Sequence, residues 1–141
     1  MSIRIGSLHI IVLAIAVLAG CGRSGPERVV LSGTVTYDGK PIEEGQIRFL
    51  PVKGTKGPMC GTPIVEGKYT ADHKGGIPIG NHTIQIDGYH NTGLKAAKGE
   101  LNGGGLIGEQ YVPWKHNRYS ELTITVEPGS GTLTKNFDLI K

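Results

Sequence analysis

The sequence predicts an all-β domain, an antiparallel sandwich of about seven short strands, and three observations carry that prediction. Apolar and polar residues alternate with a period of two through most apolar segments after residue 28. Asp-Gly, Glu-Gly and Pro-Gly pairs punctuate those segments, and no stretch gives a convincing amphipathic helix. Glycine (23 of 141 residues) and proline (8) fit the same picture, because short strands need many turns. A chain of this length makes one domain, burying roughly two thirds of its unfolded surface around one core.

Residues 1–20 read as an address rather than as part of the fold. Arg4 is the only charge before an apolar core from Leu8 to Ala19, interrupted by His9. A membrane-crossing helix needs about twenty apolar residues, so a core of about a dozen fits a cleaved secretory signal. Its end, Leu18-Ala19-Gly20-Cys21, resembles the bacterial lipobox. That resemblance implies that the Cys21 sulfur receives a diacylglyceryl group and that Cys21 becomes the first mature residue. Each acyl methylene entering the bilayer contributes about 0.8 kcal/mol and stable anchoring takes more than one chain, so lipid on Cys21 would hold the protein at the membrane. The alternatives are an ordinary signal peptide with an incidental Cys21, or an uncleaved anchor. Gly22 after the cysteine points to the outer membrane of the cell envelope, with the domain facing the periplasm or the cell surface. Residues 21–27 are then the lipidated cysteine and a polar tether of about 20 Å, and residues 28–141 the folded domain.

In RVVLSGTVTY, Val29, Leu31, Gly33, Val35 and Tyr37 share one face, as in a half-buried strand. Asp38-Gly39 predicts a tight hairpin, and Lys40-Pro41 keeps the exit extended. GQIRFLP turns Ile47 and Phe49 inward and ends at Pro51, which has no amide hydrogen for the ladder. Val52–Met59 is a loop by composition. Thr62–Val65 and Lys68–Thr70 flank Glu66-Gly67 as a second hairpin, and GNHTIQIDG places His82, Ile84 and Ile86 on one face. Leu122, Ile124 and Val126 alternate before Pro128-Gly129. The last strand offers Leu133, Phe137 and Leu139 to the core, with a bulge or an edge position expected at Lys135. Leu94–Leu101, interrupted by Gly99, reads as a loop or one helical turn within a glycine-rich excursion, Tyr89 to Gly108.

The pattern G-x-V-x-Y-D-G-K-P then G-x-I-x-F, carried by Gly33, Val35, Tyr37–Pro41, Gly45, Ile47 and Phe49, resembles the opening of carboxypeptidase regulatory-like domains. EGKYT at 66–70, the segment from Ile77 and NFDL at 136–139 continue the match over nearly all of the mature chain. The resemblance implies a transthyretin-like, seven-stranded Greek-key β-sandwich, as found in small bacterial envelope lipoproteins. Two departures stand out: a histidine at position 82, where the family usually carries an aromatic, and the long excursion after Tyr89.

Little points to catalysis. The hydroxyisourate hydrolases of the transthyretin-like fold carry a Y-R-G-S terminus, whereas this sequence has DLIK; no G-x-S-x-G is present, and the expectation is no enzyme. Gly103, Gly105 and Gly108 match G-x-G-x-x-G without the strand and helix that a dinucleotide needs, so no cofactor is expected. His73, His82, His90 and His116 form no pair at metal-ligand spacing; His82 is expected in the core and the other three in solvent. A net charge of +3 with scattered lysines and arginines excludes a nucleic-acid stripe. With Cys21 lipidated, Cys60 is a lone thiol, of modest reactivity if it packs near Pro63 and able to form a covalent dimer if exposed. The leading expectation is a non-catalytic binding or structural module, held to the membrane through Cys21 and contacting an envelope protein or glycan. Its candidate contact residues are Tyr111, Trp114, Lys115, Arg118 and Tyr119, since aromatics and arginine carry most interface energy. Against this, Tyr111, Val112 and Trp114 could simply plug the open end of the sandwich. The alternative function is small-ligand or metal binding through His90, His116 and loop acids.

Overall fold

The computed structural model describes residues 25–95, 106–129 and 131–141. The expected signal peptide, Cys21 and the start of the tether lie outside them. The described residues form one curled, eleven-stranded sheet with two short 3₁₀ turns and no α-helix.

β1 (Arg28–Tyr37) organises one arm. On one edge it pairs antiparallel with β2 (Lys40–Pro41), β5 (Lys68–Ala71) and β6 (Ile77–Pro78); on the other it pairs with β10 (Thr132–Thr134) and β11 (Phe137–Leu139). The second arm is β4 (Cys60–Val65), β3 (Glu44–Pro51) and β7 (Gly80–Lys95), with β8 (Leu106–Gln110) and β9 (Thr123–Val126) both on the outer edge of β7. Among the described residues the strand ladders of the two arms join at the hairpin pair Val65↔Lys68. The sheet therefore folds over at that corner and the inner faces meet. Tyr69 of β5 bridges them, its ring 6.1 Å from Phe49 on β3 and 6.1 Å from Phe137 on β11.

The turn chemistry is as expected. Asp38 and Gly39 take φ of 53° and 77°, and Glu66 and Gly67 take 50° and 74°, the paired left-handed values of a type I′ hairpin. The period-2 faces hold as well: Leu31, Val35, Ile47, Phe49, His82, Ile84, Ile86, Val126, Phe137 and Leu139 are buried. Removing this much apolar surface from water is the main stabilising term.

Four expectations need correction. The sheet is not wholly antiparallel, because β10 and β11 run parallel to β1. Leu133 is 42% exposed, since it sits on the edge strand β10 with a neighbour on one side only. At Lys135 the edge alternative holds, with the residue exposed, and the bulge does not, because Lys135 marks a break between β10 and β11: its N–H donates to the Ser32 carbonyl at 2.8 Å, its carbonyl accepts the Tyr69 hydroxyl at 2.8 Å, and Asn136 Oδ1 accepts Thr34 N–H at 2.9 Å. Gly33 makes this crossing possible, because a Cβ there would lie 2.0 Å from the Lys135 carbonyl oxygen. Finally, the excursion after Tyr89 is a two-stranded ribbon, β7 paired with β8 from Tyr89↔Gln110 to Lys95↔Leu106, so Leu94 lies in a strand. Residues 96–105, which include most of the helical candidate together with Gly103 and Gly105, are outside the described set.

Candidate functional site

β1 is a ruler. Its ten residues, at about 3.3 Å each, separate Arg28 from Tyr37 by roughly 30 Å. The exposed Trp114 and Tyr119 and an aromatic-lined cleft gather at the Tyr37 end. Tyr37 pairs with Leu139, and Leu139 accepts the Asp38 N–H at 2.8 Å. The chain after β11 then meets the segment after β8: His116 Nε2 lies 2.7 Å from the Ile140 carbonyl, and Lys115 Nζ donates to the Lys141 carbonyl at 2.9 Å.

Residues 113–120 form a platform held by their own backbone. A 3₁₀ turn at Trp114–His116 closes with His116 N–H on Pro113 C=O, and Asn117 and Tyr119 both donate to Trp114 C=O. Buried Asn117 adds a side-chain bond to the Val112 carbonyl at 3.3 Å. On this rigid base Trp114 and Tyr119 are 56% and 68% exposed, with ring centroids 6.2 Å apart, and the Arg118 guanidinium lies 4.8 Å over the Trp114 ring. Trp114, Lys115, Arg118 and Tyr119 are all exposed on this segment.

Tyr111 belongs elsewhere. It packs half-buried against the core beside buried Val112, stacks on His90 at 4.0 Å with rings 13° from parallel, and meets Tyr37 at 5.9 Å and 52°. The plug expectation therefore fits Tyr111 and Val112 but not Trp114. Tyr37, Tyr89, His90 and Tyr111, with Asp38, Lys40, Pro41 and Glu43, line an open cleft of about 520 Å³. Burial, then the Glu43 charge and the neighbouring Tyr37, push the Tyr111 phenol above its ordinary range; burial, then the Asp87 charge, do the same for Tyr89 against the opposing pull of Arg48. Arg48 and Asp87 form an ion pair across β3 and β7.

The histidines divide. His73 is exposed in a 3₁₀ turn, as expected. His90 is exposed but lies in β7 with one face against Tyr111, and His116 is buried and tied to Ile140, so neither is a free loop residue. Among the described residues no three His, Cys, Asp or Glu side chains come together as a metal site. His82 is wholly buried; its Nδ1 faces the Gly80 carbonyl at 3.2 Å while Nε2 has no partner. Cys60 is half-buried, its Sγ 3.6 Å from Arg28 Nη1 and 3.8 Å from the Gly76 carbonyl.

The cleft was not foreseen from sequence. Tyr37 shares the parity of the core residues of β1 and so reads as inward, and nothing in the spacing of His90 and Tyr111 reveals that the ribbon brings them together. Comparisons with protein-family models, with curated proteins and with solved structures find no match to this chain.

Proposed function

We propose that this chain is a lipid-anchored protein of the bacterial cell envelope whose non-catalytic β-domain holds a rigid aromatic and cationic platform away from the membrane to dock a protein partner. The observation that carries the reading is the placement of exposed, backbone-fixed Trp114, Arg118 and Tyr119 at the end of β1 opposite the tether. Solvent-facing tryptophan, tyrosine and arginine on a preorganised base are what interface hot spots use, since little conformational entropy is lost on binding. Lys115, Arg118 and Lys141 make the platform basic, so its partner surface is acidic.

The lipobox at Leu18–Cys21 supports the anchor. The family reading has support in the strand pattern. Setting aside β2, β6 and the ribbon strand β8, and joining β10 to β11 across Lys135, leaves seven strands in two facing arms, which is consistent with a carboxypeptidase regulatory-like, Greek-key sandwich.

A photo-crosslinking residue placed at Arg118 in intact cells tests the docking claim. The reading expects one discrete protein adduct from position 118, lost in Trp114→Ala and absent when the crosslinker sits at Lys56 on the tether end. Equal adducts from both ends, or a glycan adduct at 118, would refute it. The Cys21→Ser protein, leaving the membrane fraction, checks the anchor separately.

A further inference from the structure

We propose that the cleft between the Asp38-Gly39 hairpin and the base of the ribbon binds a small organic cation, a trimethylammonium or methylated amine, on the faces of its tyrosines. The site is independent of the platform and of the anchor. Three tyrosine rings and an imidazole line it; Tyr37 and Tyr111 incline at 52° with centroids 5.9 Å apart, and the His90 ring takes one face of Tyr111, so the cleft wall is aromatic on several sides. The face of each ring carries the negative side of its quadrupole, which attracts a cation most when that cation is weakly hydrated, as an alkylated ammonium is. The rim adds the Asp38 and Glu43 carboxylates against one ammonium, Lys40. Both carboxylates and Lys40 are exposed, so none is committed to the core. Burial is the main cause of the raised Tyr111 phenol, and the Glu43 charge at the rim adds to it. The other aromatic group at this end is unsuited to the task, because Arg118 already covers Trp114.

Lys40 makes the sign of the ligand charge testable. For a cationic ligand Lys40 is a competitor; for an anion or a hydrogen-bonded sugar it would be a contact. The probe is choline, titrated into the purified mature protein at low ionic strength in a non-ionic detergent and followed by calorimetry, with 3,3-dimethylbutan-1-ol as its uncharged isostere. Choline is expected to bind about tenfold tighter than the isostere. Lys40→Gln is expected to tighten choline, and Glu43→Gln to weaken it, each by about threefold, the size of an exposed charge interaction. Both positions are exposed, and unchanged thermal unfolding confirms that either variant is folded. Phosphocholine as a parallel titrant distinguishes a lipid headgroup from a free cation. Equal binding of choline and its isostere, no heat from either, or weaker binding in Lys40→Gln would overturn the proposal.

Discussion

His82 is the residue at which the core is most exposed to chemistry. Its Nδ1 donates to the Gly80 carbonyl, which leaves Nε2 as a bare lone pair in an apolar interior. Protonation there would place a charge and an unsatisfied N–H among Ile84, Ile124 and their neighbours, and burial accordingly holds the imidazole below its ordinary range. The unfolded chain therefore binds a proton that the folded chain refuses. Stability contributed by His82 is complete above the unfolded value of about 6.5 and falls as the pH drops below it, by at most about 1.4 kcal/mol per pH unit. Urea titrations at pH 7 and pH 5 should show this loss, and His82→Leu should flatten it. An identical pH dependence in the two proteins would mean that the imidazole is solvated. The burial of His82 was legible from strand parity, whereas its unpaired nitrogen depends on the neighbours that folding supplies.

Among the elements, the hairpins were the easiest to read and the β10–β11 edge the hardest. Asp38-Gly39 and Glu66-Gly67 announce themselves because few residue pairs accept two successive left-handed conformations. The last strand looked continuous, since Leu133, Phe137 and Leu139 share a parity that the chain does not keep in space. What breaks it is a tertiary event, the crossing of the Lys135 carbonyl over Gly33 to receive the Tyr69 hydroxyl. Gly33→Ala should push Lys135 away and sever that bond, costing about 3 kcal/mol and lowering the urea midpoint. A midpoint within error of the parent would show that the crossing does not depend on a missing side chain. The ribbon β7–β8 was misread as a loop for a similar reason: its glycines masked a pairing that only the partner strand defines.

At the level of the whole molecule, the proposed reading puts anchoring and docking at opposite ends of one strand of the curled sheet. The chain enters at Arg28, while the cleft and the platform lie beyond Tyr37. The residue types of the platform were legible in YVPWKHNRY, but its placement was not, because the bonds of His116 and Lys115 to Ile140 and Lys141 join segments remote in sequence. Trp114 is the single tryptophan of the chain, so its emission reports on the platform alone. The most direct measurement is the quenching of that emission in the lipidated protein reconstituted into vesicles, by brominated lipids from within the bilayer and by acrylamide from water. A platform held roughly 30 Å beyond the tether entry predicts strong quenching by acrylamide and none by brominated lipid. Efficient quenching by brominated lipid with protection from acrylamide would place Trp114 in the membrane and contradict the account.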